Sequence, residues 1–366
     1  MNKILYKRFE DCVPVKGYQR SLLCDLTRER YHFLPNDLAD ILQKNIIHKE
    51  EYAQLEYVDD YFDFLIENEL VFETTEQELN LYPPMSLEWD YASKISNAVL
   101  EIGQEKAYDI SKVLDQIMNL GCRFFTIIFD YAADIDELVE IAEKFEYSSV
   151  FSIEFVCKYN NRIEKEQLHD LLQKYNRISY IAFYEAEQNL IEETKEIRGN
   201  IVYSKEPINH SKCLVNSAYF TNNMSFFTES QKHNTFLNRK LGINKNGDIL
   251  NYLGYKNTFG NVNSQDIANI ISMPDFQNLW FVHKGQIDVC KDCEFRHICI
   301  DSREPLQRSD GSWYFQQECN YNPYICKWNY EEDFIPLSVC EVYSTSNGFE
   351  IDHKKIAEIN SQLWSD

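Results

Sequence analysis

Between residues 96 and 203 the chain repeats one pattern, a run of consecutive apolar residues followed by a stretch with apolar positions at helical spacing. SNAVLEI leads into ISKVLDQIMNL, RFFTIIF into DIDELVEIAEKF, VFSIEFV into EKEQLHDLLQKY and SYIAFYEA into LIEETKEI, and NIVYS closes the series. Continuous apolar strands alternating with amphipathic helices predict βαβ units, an α/β fold and a parallel sheet covered on both faces. Five strands and four helices fall short of an eight-fold closure, so a partial barrel or an open sheet is expected.

Ahead of this region the pattern is shorter in range. ILYKRF and VPV read as brief strands, and RSLLCDL and RYHFLP alternate around Thr27-Arg28-Glu29-Arg30 as a hairpin. Pro35-Asn36-Asp37 can cap a helix through LADILQK, and Glu50 to Leu55 suits a second short one. DYFDFLIENEL then carries Tyr61, Phe62, Leu65 and Ile66 at helical spacing, before the strand VFETT. A hairpin, three helices and a closing strand make a small winged-helix arrangement, α+β in class, over residues 1–85, with Tyr82-Pro83-Pro84 at its boundary. The strand–helix repeats occupy residues 89–210. From 211 to 366 the chain is irregular and rich in Asn. There KLGINKNGDILNY predicts a hairpin turning at Asn246-Gly247, DIANIISM and PDFQNLWFV read as helical, and KKIAEINSQLW as a closing helix.

Composition narrows the function classes. A net charge of −23 argues against nucleic acid, whose phosphates need concentrated Lys and Arg, and is compatible with a basic partner. No stretch approaches the roughly 18 apolar residues of a membrane span. The opening MNKILYKRFEDCVPV has neither an apolar core nor a small-residue cleavage site, so a cytoplasmic protein is expected, in a compartment that keeps its 11 cysteines reduced.

The chemistry-bearing residues concentrate near the C-terminus. Cys290-x2-Cys293-x5-Cys299 is followed by Cys319 and Cys326, in VCKDCEFRHIC and QQECNYNPYICKW. Two thiolates two residues apart form a knuckle that holds a tetrahedral metal or one corner of an iron–sulfur cube, and later cysteines close the site. A disulfide framework is the alternative, although such frameworks belong mostly to small secreted domains. The histidines show no metal or triad spacing, but His297 lies inside the loop as a substitute ligand. Asp130, Glu154 and Glu185 fall near the ends of consecutive strands, where a barrel-type site would lie and where ion-paired carboxylates are equally expected.

The string NGDILNYLGYKNTFGNV, then LWFVHKGQIDVCKDCEFRHIC and CNYNPYIC, resembles a SPASM domain, the cysteine-rich auxiliary-cluster module that follows many radical S-adenosylmethionine enzymes. Together with FEDCVPVKGYQRSLLCDLTRERYHFLPNDLADIL and ISNAVLEI, nearly the whole chain resembles the SPASM-domain protein of grasp-with-spasm systems. Such proteins are encoded with an ATP-grasp ligase and a short precursor peptide. The resemblance implies a ribosomally synthesised, post-translationally modified peptide (RiPP) of graspetide type, in which the ligase makes side-chain ester or amide links. It also implies that the winged helix is a RiPP recognition element for the leader peptide, that residues 89–210 are a degenerate, radical-SAM-like β/α barrel, and that residues 211–366 are a SPASM domain.

Departures from the family pattern sharpen this. A radical enzyme holds its catalytic cluster with cysteines spaced x3 and x2 after the first barrel strand; here that loop reads GQEKAYDI, and no CxxxCxxC occurs in the chain. Phe129-Asp130-Tyr131 stands where a Gly-Gly-Glu patch would meet the methionine amine. Neither S-adenosylmethionine binding nor radical catalysis is expected, and no catalytic residue is assigned. Of the two auxiliary clusters, the first would draw on Cys213, but Asn251 and Tyr252 follow the Gly247-Asp248 turn, and Ser302 and Arg303 follow Cys299, where further cysteines could fall. The second keeps Cys290, Cys293 and Cys299, with Cys319 or Cys326 as the fourth ligand. One 4Fe–4S cluster is what the resemblance implies, and zinc is the alternative that four thiolates also suit.

The expected role is a pseudoenzyme adaptor. A leader would add as a β-strand along Arg30, Tyr31, His32, Phe33 and Leu34, with pockets against the helix carrying Tyr61, Phe62 and Leu65. The partners are then a precursor peptide and an ATP-grasp ligase, and the lack of a Gly-rich phosphate loop leaves ATP to the ligase. Two other readings stay open: a peptide-modifying enzyme of unrecognised mechanism with an auxiliary iron–sulfur cluster, and a metal-stabilised interaction protein.

Overall fold

The computed structural model describes residues 5–193, 198–210 and 215–364. They gather into two units, one of residues 5–90, 215–235 and 282–364, the other of 91–210 and 236–281. Contact therefore divides the chain differently from the three consecutive stretches that composition suggests. Among the described residues no helix is long and apolar enough to cross a membrane.

The first unit opens with β1 (Leu5–Arg8), β2 (Cys12–Lys16), β3 (Ser21–Asp25), β4 (Arg30–Leu34), α1 (Asn36–Gln43), β5 (Ile46–Ile47), α2 (Val58–Glu67) and β6 (Val71–Thr74). These strands make two small antiparallel sheets, ordered β5-β1-β6 and β2-β3-β4, so β4 is an edge strand. The hairpin expected around residues 27–30 is β3–β4, with Asp25 opposite Arg30. Helix α1 turns Leu38, Ala39, Ile41 and Leu42 inward and α2 turns Phe62 and Leu65 inward, against Cys12, Leu23 and Val71. The helix expected at Glu50–Leu55 is only a 3-10 turn, Lys49–Tyr52. It buries no residue, and a helix without an apolar face to bury is not sustained.

The second unit is built on one sheet. Its elements are β7 (Asn97–Ile102), α3 (Ile110–Asn119), β8 (Phe124–Phe129), α4 (Ile135–Lys144), β9 (Ser152–Lys158), α5 (Lys165–Lys174), β10 (Ile178–Tyr184), β11 (Leu190–Glu193), β12 (Asn200–Tyr203), β13 (Lys240–Ile243), β14 (Asp248–Leu250) and β15 (Gly260–Asn261). The nine strands run β11-β12-β10-β9-β8-β7-β13-β14-β15, a linear order and hence an open sheet. From β12 to β13 every neighbour is parallel. The order follows from the βαβ repeat, since each amphipathic helix returns the chain to the same end of the sheet. Leu100, Ile127, Phe155 and Ile181 stand in register across four strands and share one core with Leu114, Leu138 and Leu168 of the helices. The alternate positions Val99 and Ile128 belong to the opposite face, packed with Leu250 and Leu253.

Two expectations are corrected here. The hairpin at Asn246-Gly247 forms, with Gly247 at φ +83° as that turn requires, but β13 pairs parallel to β7 and extends the main sheet instead of joining the cysteine-rich region. LIEETKEI is not a helix in its described part, which is the strand β11 running antiparallel to β12; residues 194–197 lie outside the described residues. Leu190 and Ile191 are adjacent and Ile191 stays 65% exposed, so this segment has too little apolar surface to hold a helix on the sheet, whereas β12 satisfies its backbone.

Phe155 is fully buried on a central strand. Phe155→Ala should lower unfolding stability by about 3–5 kcal/mol, read as a shifted urea midpoint by circular dichroism.

Candidate functional site

Two consecutive turns build the cysteine loop. Cys293 N–H donates to Cys290 O at 3.1 Å, closing a 3-10 turn over Cys290–Asp292, and Cys299 N–H donates to Phe295 O at 3.0 Å, bringing the loop round again. Val289, immediately before the knuckle, sits at φ +66°, which a β-branched residue adopts only under strain. Cys319 and Cys326 lie at opposite ends of a small hairpin in which Tyr321 pairs with Trp328 and Asn322 with Lys327. Tyr321 N–H donates to Cys319 Sγ at 3.5 Å, while Cys326 occupies the turn at φ +55°.

Cys290, Cys299 and Cys319 lie within electrostatic reach of one another, and Cys293 lies within reach of Cys290 and Cys299. Cys326 faces a different neighbourhood, that of Glu294, Arg20 and Tyr321. Burial pushes the Cys290 thiol up to about 12, and raises Cys293 and Cys299 as well, so an incoming metal has to displace their protons. None of the ten described cysteines is in a disulfide. Cys213 lies outside the described residues. His297 has its Nδ1 engaged by Ser230 Oγ at 2.8 Å.

Residues that spacing alone did not single out complete the site. Lys284 is buried and donates to Cys299 O at 2.8 Å; burial works against its charge, yet Cys299 and Asp301 raise its pKa. Arg303 is also buried, holds Asp301 at 2.6 Å and reaches to 4.0 Å from Cys290 Sγ. The Asp301-x-Arg303 sequence directly after Cys299 was the available signal for that pair. Cys290, Cys319 and Arg303 line a cavity of about 200 Å³.

Lys284 and Arg303 are thus buried cations beside these thiols, with the cavity on one flank. Among the described residues no three His, Cys, Asp or Glu side chains converge as a single ion needs.

The carboxylates at the strand ends are all engaged. Asp130 pairs with Lys245 at 2.8 Å, Glu185 with Lys158 at 2.8 Å, and Glu154 accepts from Thr126 Oγ1 at 2.9 Å. Glu101, at the end of β7, has His210 at 3.5 Å and takes the Lys245 N–H at 3.1 Å.

Of the residues expected to hold a peptide, Arg30, Tyr31, His32, Phe33 and Leu34 do form an edge strand. Arg30 pairs with Asp25, Asn222 Nδ2 donates to Arg30 O, Leu34 is buried, and Phe33 is 47% exposed. The pocket on α2 is corrected. Phe62 and Leu65 are wholly buried in the core, and Tyr61 donates its hydroxyl to Asp37, because core and groove positions share one helical spacing.

No protein-family model matches the chain, and no curated protein matches it. Among solved structures, SuiB of Streptococcus suis bound to S-adenosylmethionine aligns over 80% of this chain and 94% of its own, with 12% identity and a TM-score of 0.36. A second structure of Streptococcus suis SuiB aligns over the same shares with 13% identity and a TM-score of 0.28.

Two outcomes test this geometry. Cys319→Ser should abolish metal retention after anaerobic purification while Cys326→Ser keeps it, and Lys284→Gln should weaken retention about tenfold, by iron, sulfide and zinc content per chain. His210, then the Lys245 N–H, hold the Glu101 carboxyl below its ordinary value despite burial. That stabilisation is complete above the unfolded carboxyl's pKa and is lost as pH falls through the folded one, so Glu101→Gln should flatten the fall in Tm between about pH 5 and pH 3.

Proposed function

We propose that this protein is a non-catalytic adaptor in ribosomal peptide maturation, a radical-SAM-like scaffold with a SPASM-type thiol centre that presents a precursor peptide to an ATP-grasp ligase. What supports this is that Cys290, Cys299 and Cys319 lie within electrostatic reach of one another and of Lys284 or Arg303, set against a loop after β7 that reads GQEKAYDI and contains no cysteine. A chain that keeps the auxiliary ligands and lacks the three for the catalytic cluster retains the module's architecture without its radical initiator.

Cys290, Cys293, Cys299 and Cys319 would hold the centre. A 4Fe–4S cluster, the first choice, places each thiolate on a separate corner; zinc, the alternative, needs all four about 2.3 Å from one point. Either supplies cross-linking of irregular loops and so contributes folding free energy. The winged-helix-like element with β4 at its edge would receive the leader by strand addition, since an edge strand offers unpaired N–H and C=O groups. The ligase would bring ATP and make the ester or amide links, each with loss of water.

The test incubates the precursor with the ligase and ATP, with and without this protein, and reads peptide mass. Dehydrated product that needs the ligase and forms faster with this protein supports the adaptor. A mass change with this protein alone would sink it and favour a peptide-modifying enzyme. Labelled precursor should bind at least about tenfold more weakly to a His32→Pro variant, in which the strand cannot pair.

A further inference from the structure

The second unit carries a cavity of about 460 Å³ near the carboxyl ends of β9, β10 and β12, within the size range of small-ligand sites. Its origin is the helix that does not form after β10. Helices α3, α4 and α5 share one core with β7 to β10, whereas the chain beyond β10 turns into β11 and pairs with β12. Lys165 and Leu168 of α5 therefore line the cavity together with Phe183 of β10, Tyr203 of β12, and Leu190 and Glu192 of β11. In open α/β sheets, ligands bind in crevices outside the carboxyl ends of the strands.

Two features of the wall define what it would hold. The first is aromatic. Phe183 and Tyr203 stack at 5.4 Å with 19° between their planes, and Tyr159, just past β9, stands edge-on to both at 6.2 and 6.0 Å. The second is a carboxylate with an unmet acceptor. Glu192 Oε2 is buried and accepts no hydrogen bond among the described residues. Lys165 Nζ comes within 3.0 Å of it from a half-exposed side chain, and His169 Nε2, at 4.0 Å, is beyond hydrogen-bond reach. Burial first, then Glu192 and Tyr159, raise the Tyr203 phenol, which puts the carboxylate on the same side as the rings.

We propose that this cavity binds a guanidinium group, laid against the Tyr159 and Tyr203 rings and paired with Glu192, which Lys165 holds as an internal competitor until the ligand displaces it to solvent. A guanidinium is the cation that suits both features. It is planar and weakly hydrated, so it stacks on aromatic faces, and its forked N–H groups match the two oxygens of a carboxylate. Leu168 and Leu190 offer apolar surface for an aliphatic stem, and the chain's net charge of −23 favours the approach of a cation. The site belongs to the second unit, and it requires neither a metal at the thiols nor a leader on β4.

Calorimetric titration of the full chain with Nα-acetyl-arginine amide tests it, beside the citrulline amide, which keeps the shape and loses the charge. The arginine probe should bind saturably, and the citrulline analogue at least about tenfold more weakly. Glu192→Gln should weaken the arginine probe about tenfold, whereas Lys165→Met should tighten it by removing the competitor. Titration with free arginine separates the sources: tighter binding than the amide supports a site for the amino acid, and weaker binding supports a site for an arginine side chain within a peptide. No saturable binding, or equal binding of the citrulline amide, would overturn the inference on the unaltered chain, whatever the variants do. Weaker binding to Lys165→Met would overturn it too, because the cavity would then be a site for an anion.

Discussion

Glu294 carries a wholly buried carboxylate one residue from Cys293, and Arg20, from the turn between β2 and β3, meets it at 2.8 Å. Tyr321 donates its hydroxyl to the same oxygen at 2.5 Å and accepts from Arg20 Nη2 at 3.3 Å. A carboxylate taken out of water without such partners costs several kcal/mol, and removing one member of a buried pair typically costs about 3–5 kcal/mol. The loop around the thiols can therefore close only where the N-terminal sheet delivers its arginine. The sheet, in turn, orders Phe33 beneath that guanidinium. Strand β4 and the thiol loop are thus parts of one folding event although 274 positions separate Arg20 from Glu294.

The second unit depends on a different constraint. Six parallel strands need cover on both faces, and the helices supply it on one side through Leu114, Leu138 and Leu168. Where the pattern lacks apolar residues, as after β10, the chain gives up the helix and pairs its backbone instead. At the carboxyl ends of the strands, the positions that a barrel enzyme would use for chemistry are committed to Lys245–Asp130 and Lys158–Glu185 pairs. Ion pairs that exposed contribute little to stability, about 0–1 kcal/mol each, but they hold these side chains in place.

Much of this was legible in the chain because the informative signals are local. β7 to β10 and α3 to α5 lie where apolar runs and helical spacing put them, since each element's periodicity is fixed by the surface it buries. The pairing of β13 with β7 was not legible, because parallel neighbours distant in sequence leave no periodic trace. Nor could spacing separate Cys319 from Cys326. Both follow the knuckle at plausible distances, and their places at opposite ends of one hairpin put Cys319 within electrostatic reach of Cys290 and Cys299 and Cys326 within reach of Glu294 and Arg20. Phe62 and Leu65 were misjudged for a similar reason, as a helical stripe reads the same whether it faces a core or a groove.

The backbone itself indicates what a metal bound by these thiols would contribute. Val289 and Cys326 both adopt left-handed φ values, +66° and +55°, at the two ends of the thiol-bearing structure. Such conformations cost about 1–3 kcal/mol each and persist only where the surroundings over-determine them. Part of that determination is visible in the Arg308–Asp288 pair at 2.6 Å and in Tyr324, fully buried and bonded to Asp292 at 2.7 Å. The secondary structure there is minimal, two-residue strands and single turns, so few backbone hydrogen bonds resist opening. Four thiolates tied to one centre would convert that set of short contacts into a closed unit, and the arginine and lysine already buried beside them would counter the negative charge that closure creates.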